Sequence, residues 1–126
     1  MTAARTSAPQ LVRELFAAVD NQDANAVGSY VTDDLHFRFG SADPVIGKDE
    51  FVASSEQFLA SLAGIRHQII SLWEVEEGTV VAIMDVHYRR HDGREHTLPC
   101  SNLFRLRDGK VHDYRIYMDI APIFAD

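Results

Sequence analysis

Two Asp-Gly dipeptides, Asp92-Gly93 and Asp108-Gly109, each stand between long apolar-rich runs, and they limit what this chain can fold into more than any other feature. An Asp-Gly pair suits tight turns whose central residues take positive φ, and between strand-like runs it is the strongest short-range hairpin pattern. Glu77-Gly78 marks a further turn. The spacing predicts long strands over residues 66–76, 79–90, 95–107 and 110–118, joined as an antiparallel meander.

Upstream, the apolar period is helical. Ser7 with Gln10 resembles a capping box, and Pro9 suits a first helical turn. Leu11, Val12, Leu15, Phe16 and Val19 then predict an amphipathic helix to about Asn21. Asp23 can cap a second, short helix carrying Val27, Tyr30 and Val31, which Thr32-Asp33-Asp34 breaks. Residues 35–39 read as a short strand and 40–47 as a loop. A third helix presents Phe51, Val52, Ser55, Phe58, Leu59 and Leu62 on one face, with Gly64 at its end. Helices followed by a meander give the class α+β.

At 126 residues the chain fits one domain, 1–126, with 1–7 a loose N-terminal segment. A net charge of −7 repels phosphate backbones and anionic membrane surfaces, so neither nucleic acid nor membrane is an expected partner. Cys100 is the sole cysteine, which rules out an internal disulfide and is compatible with a reducing compartment. The first residues lack the apolar stretch of a secretory signal, and no run of about 18 apolar residues exists to span a bilayer. The expected address is the cytoplasm.

The segment from Val80 to Tyr88 carries large apolar residues in both phases of the strand period. A sheet with one solvated face alternates more cleanly, so both faces are expected to be covered, one by the helices and the other by a second copy of the chain. Asp85 interrupts the segment. An ionised carboxylate in such surroundings is costly unless paired, so it reads either as an acid or base with its pKa raised by burial, or as a structural ion pair with Arg66, Arg89 or Arg115, or as exposed near the strand end. His87 shares its face and reads as a tuning partner or as a rim histidine. His87, His91 and His96 do not make a metal set, because the turn turns His91 to solvent and no cysteine or carboxylate completes them. Cys100 has no base partner in the pattern, and no glycine-rich phosphate loop is present, so no cofactor is expected.

The layout, together with E-L-F-A-A-V-D-N-Q-D-A-N-A-V at 14–27, V-I-G-K-D-E-F at 45–51 and D-G-K-V-H-D-Y-R-I-Y-M-D-I at 108–120, resembles the SnoaL-like branch of the nuclear transport factor 2-like superfamily over nearly the whole chain. The resemblance implies a cone: a curved antiparallel sheet closed by three helices around a pocket, with the convex face used for homodimers. Its members include isomerases, epoxide hydrolases, dehydratases, cyclases and plain binding proteins, so fold cannot choose function. By the same resemblance, Asp85 matches an aspartate of the epoxide-hydrolase pattern, and Asn102 falls where ketosteroid isomerase keeps a protonated aspartate in its oxyanion hole. The isomerase's general base falls at Phe39 and its oxyanion tyrosine near Leu15. The hydrolase's arginine falls at Ile83, its second aspartate at Ile116, and its water-holding pair at Phe37 and Phe39. Neither mechanism transfers intact.

In this register Phe16, Phe37, Phe39, Trp73, Leu98, Cys100 and Ile116 are expected to line the cavity, with Tyr30 and Tyr114 offering hydroxyls. The functional expectation is a cofactor-independent enzyme doing acid/base chemistry on a small apolar carbonyl or hydroxyl compound. Asp85 and His87 would be catalytic, and Asn102 with Tyr114 would orient the substrate. The alternative is a non-catalytic binding protein or regulatory dimer, favoured if Asp85 and His87 face the dimer side.

Overall fold

The computed structural model describes residues 6–125, so most of the segment expected to be loose, residues 1–5, lies outside the described residues. Helix α1 (Ala8–Asp20) starts where the sequence says: the Ser7 hydroxyl accepts the Gln10 amide at 3.2 Å. Asp23 likewise caps α2 (Ala24–Gly28) by accepting the Ala26 amide at 3.0 Å. Strands β1 (Val31–Phe39) and β2 (Val45–Ile46) follow, then α3 (Lys48–Ala60). The meander is β3 (Gly64–Glu76), β4 (Thr79–Arg89), β5 (Glu95–Arg107) and β6 (Lys110–Tyr117), and a short α4 (Ala121–Phe124) closes the described chain. Asp108 and Gly109 have φ of 53° and 77°, the mirror-image turn that their pairing predicts.

Several boundaries differ from expectation. Thr32-Asp33-Asp34 does not end a helix but begins β1, whose register is interrupted between Val31 and His36. Gly64 belongs to β3. Helix α3 ends at Ala60, and side chains from elsewhere take carbonyls at and just beyond that end: Gln22 Nε2 donates to the Leu59 and Leu62 oxygens, and His91 Nε2 donates to that of Ala60.

The sheet has six strands in the order β2-β1-β6-β5-β4-β3, open and curved. It is mixed rather than wholly antiparallel, because β1 runs parallel to β6 with Phe37 beside Tyr114 and Phe39 beside Ile116. The meander supplies local antiparallel pairs, whereas β1 reaches β6 only after the chain has passed through α3 and the meander.

The sheet's two faces are chemically distinct. Inward run Val80, Ala82, Met84, Val86 and Tyr88 of β4, all at most 3 % exposed, with Phe104 of β5 at 0 % and Tyr114 of β6 at 4 %. These pack on Val12, Leu15, Phe16 and Val27 of the helices and on Leu35 of β1. Full burial of one such side chain is worth roughly 1.5–3 kcal/mol, so this single layer carries most of the fold's stability. Outward lie Val81, Ile83, Asp85 and His87. Between Ile69 and Ser71 the β3 register shifts by one residue, which puts Leu72 opposite inward Ala82 and Trp73 opposite outward Val81.

Candidate functional site

Between the inward face and the helices is a cavity of about 220 Å³. Helix α3 supplies Phe51, Ser54, Ser55, Phe58 and Leu59, and β1 supplies Phe37 and Phe39. The meander contributes Ile65, His67, Val86, Tyr88, Cys100, Asn102, Tyr114 and Ile116, with Met118 just beyond β6. No lysine or arginine is among the lining residues. Asn102, Ile116 and Phe39 stand side by side across β5, β6 and β1 and form one row of the cavity floor.

The main acid/base feature of the cavity is a pair that the sequence reading did not single out. His67 of β3 and Asp20, the last residue of α1, meet with Nδ1 and Oδ1 2.6 Å apart. The His67 backbone amide also donates to both Asp20 carboxylate oxygens at 3.1 Å. The imidazole is 8 % exposed and stacks on Phe16, ring centres 4.7 Å apart and planes 22° apart, so its orientation is fixed from the edge and from one face. With Nδ1 held by a carboxylate, the neutral ring carries its proton there, and Nε2 is left as a lone-pair acceptor without a protein partner among the described residues.

Around this pair the other polar groups are neutral donors. Tyr114 is 4 % exposed, and its phenol is pushed well above the usual range, first by burial and then by the nearby Cys100, Tyr88 and Asp20. Tyr88 is raised in the same way, by burial and then by Cys100, and its hydroxyl finds only the Met118 sulfur at 3.4 Å. Burial pushes the Cys100 thiol up to about 12, and it donates to Asn102 Oδ1 at 3.3 Å. Asn102 itself is 2 % exposed.

Of the residues expected at the site, Phe37, Phe39, Cys100, Asn102, Tyr114 and Ile116 line the cavity. Leu98 is inward and packs on the core without lining it, and Tyr30, at the end of α2, does the same. Phe16 lies one layer deeper, as the support of His67. Trp73 is a correction: the β3 register shift turns it outward, and it is 51 % exposed.

Asp85 and His87 are corrected in placement too. Both stand on the outer face, because the other phase of β4 contains no charged residue and is the cheaper one to bury. His87 is held there by Thr97 Oγ1 at 2.7 Å and Gln68 Oε1 at 2.9 Å. Asp85 sits between Gln68 and Pro99 in the sheet and makes no ion pair among the described residues, so the expected pairing with Arg66, Arg89 or Arg115 is also absent there. The outer-face acid that does pair with arginines is Asp113, 8 % exposed, which accepts from Arg115 Nε at 3.1 Å and Arg105 Nη1 at 3.4 Å.

The phase of β3 holds the clue that leads to His67: Ile65, His67 and Ile69 alternate as an inward set in which the histidine is the one polar member. Asp20 gives no comparable clue, since a polar residue at a helix end is ordinarily solvated.

An open, curved α+β sheet closed by helices over an apolar hollow is the nuclear transport factor 2-like fold. The chain belongs to the SnoaL-like domain family, whose model matches residues 12–114. A Sordaria araneosa protein named sordarin/hypoxysordarin biosynthesis cluster protein G is 25 % identical over 124 residues, covering 94 % of this chain and 84 % of that one. In structure the chain is similar to a nuclear transport factor 2-like protein of unknown function from Burkholderia pseudomallei, at a TM-score of 0.82 and 19 % identity, with 93 % and 94 % of the two chains covered. It is similar also to an LEH-like epoxide hydrolase from M. tuberculosis, at 0.80 and 18 %, with 95 % and 88 % covered. At these identities the structural likenesses speak for the fold.

Among the described residues no helix is long and apolar enough to cross a membrane.

Proposed function

We propose that this chain is a cofactor-independent acid/base enzyme acting on a small, mostly apolar carbonyl or hydroxyl compound, with His67 as the group that takes and returns a proton. The observation that carries the reading is the His67–Asp20 contact of 2.6 Å at the wall of an apolar cavity. Asp20 holds the imidazole in one tautomer and stabilises the imidazolium formed when Nε2 accepts a proton. The Asn102 amide and the Tyr114 and Tyr88 hydroxyls are donors suited to a substrate oxygen on which negative charge develops. An engineered cavity of about 150 Å³ takes benzene, so 220 Å³ suits a molecule of one or two rings. Two proteins that the chain resembles, a biosynthesis-cluster protein and an LEH-like epoxide hydrolase, are named for small-molecule chemistry of this kind. Asp85 and His87 have no part in this reading, because their side chains leave the other face of the sheet.

The reading extends to a homodimer formed through the convex outer face, where Trp73, Ile83 and Tyr117 are 51, 37 and 53 % exposed, and to a cytoplasmic address for a single-domain protein. A non-catalytic ligand carrier is the second reading. It is favoured by the two bonds from the His67 amide to Asp20, which tie α1 to β3 whatever the imidazole does.

The test is hydrogen–deuterium exchange at the α-carbon of small cyclic ketones, followed by proton NMR in D2O. The enzyme reading expects exchange faster than in buffer and a loss of about 10²-fold or more in His67→Asn. Exchange no faster than in buffer, or undiminished in the variant, leaves the carrier reading.

A further inference from the structure

We infer that Cys100 is a positioning residue which turns the Asn102 amide so that the cavity offers donors to its ligand, and that the site therefore selects an uncharged compound with a carbonyl oxygen over a hydrocarbon or a carboxylate. The inference rests on the proposed role of this cavity as the ligand site. It adds which atoms a ligand must bring.

Three observations carry it. The Cys100 thiol donates to Asn102 Oδ1 at 3.3 Å, and both residues are buried, at 7 % and 2 % exposed. With Oδ1 engaged, the Nδ2 hydrogens point away from the thiol, and they have no protein acceptor among the described residues. An amide donor that borders a cavity and has no protein acceptor is satisfied by what fills that cavity. The Tyr114 hydroxyl, 4 % exposed, also lacks a protein acceptor among the described residues. That of Tyr88 has only a thioether, a weak acceptor.

At Asn102, Tyr114 and Tyr88 the wall thus holds protons without strong protein acceptors, alongside the free lone pair of His67 Nε2. A carbonyl oxygen has two lone pairs in its plane and can serve two of these donors together. A hydrocarbon leaves them unsatisfied. A carboxylate brings charge into a wall with no lysine or arginine, whose one imidazole already faces the carboxylate of Asp20, and loses its hydration without an uncompensated positive charge in return. The thiol matters because without it the amide is free to rotate and offer its oxygen.

The test is isothermal titration calorimetry with three probes of one shape: 1-indanone, indane and indane-1-carboxylate. In the wild-type protein 1-indanone is expected to bind about tenfold more tightly than indane, the worth of two neutral hydrogen bonds after desolvation, with the carboxylate weakest. Cys100→Ala is expected to shrink the ketone-to-hydrocarbon ratio to about threefold while indane affinity holds, and Cys100→Ser, which keeps a donor, to restore it. Asn102→Leu gives the same shrinkage by another route should Cys100→Ala fail to fold. The inference is overturned by a ratio near one in the wild type, by carboxylate binding as tight as that of the ketone, or by a ratio that Cys100→Ala leaves unchanged; where Cys100→Ala does not fold, it is overturned by a ratio that Asn102→Leu leaves unchanged. The acid/base reading fails separately: the wild-type protein can prefer the ketone in calorimetry while showing no α-proton exchange above buffer, so exchange chemistry can be absent while donor selection stands.

Discussion

The two faces of one sheet have opposite characters although the strands between them read alike. In β4 the inward residues are Val80, Ala82, Met84, Val86 and Tyr88, and the outward ones include Val81, Ile83, Asp85 and His87. Both sets carry large apolar residues. What separates them is that one contains an acid and a histidine, and a single unpaired charge outweighs several methylene groups when a strand chooses its rotation, since burying it costs more than roughly 0.8 kcal/mol per methylene can return. The inner face is therefore closed, neutral and tightly packed, and it holds its ionisable groups at a cost. The outer face leaves Asp85 and His87 unburied, pairs its buried acid Asp113 with arginines, and leaves apolar residues bare.

The sharpest break between the faces is expected in stability. Phe104→Ala removes a fully buried ring that touches Phe16 and Tyr114, and is expected to cost about 3–5 kcal/mol in urea unfolding. Ile83→Ala on the outer side is expected to cost less than about 1 kcal/mol in the monomer. Equal losses would mean that the outer face is as buried in solution as the inner. Next in size is the chemistry. The double variant Asp85→Asn, His87→Gln is expected to leave ketone proton exchange unchanged, while His67→Asn lowers it by about 10²-fold. A loss on both faces would return the site to the side that was first expected from the sequence.

A smaller difference lies in pH. Cys100 is raised from 9.0 to about 12, and Tyr88 and Tyr114 are raised as well. Each is an acid held protonated by the fold, so above pH 9 the unfolded chain loses protons that the native one keeps. The stability these groups contribute is full below pH 9 and falls as pH climbs toward 12. Urea midpoints measured from pH 8 to 11 are expected to decline, and to decline less in Tyr114→Phe; a flat profile would contradict the burial of these groups. The smallest expected effect is Ile83→Glu, which should turn the proposed dimer into a monomer by light scattering without changing the unfolding free energy of the monomer by more than about 0.5 kcal/mol.

Local chemistry was legible in the chain and distant geometry was not. Ser7 and Asp23 cap helices because a side-chain oxygen two or three residues from an orphan amide has few alternatives. Asp108-Gly109 makes its turn because few pairs tolerate two positive φ values in succession. The SnoaL-like fold followed from such pieces in order. The shift between Ile69 and Ser71 has no residue-type mark, and it alone reverses Trp73. The meeting of Asp20 with His67 joins positions 47 apart, and neither residue announces the other. Asp85 could have been placed, since choosing the uncharged phase of β4 as the buried one needs no coordinates.

The parallel contact of β1 with β6 has a consequence for how the protein is made. Val31 lies beside Val111, 80 positions later, whereas every other long pair in the sheet joins neighbours in sequence. Closing so long a loop is slow relative to zipping hairpins. On the ribosome the first half of the chain must wait, with its greasy helix faces uncovered, until the last strand has emerged. The meander is expected to set first and the helical cap to clasp it afterwards, so the hollow comes into being at the final step of assembly.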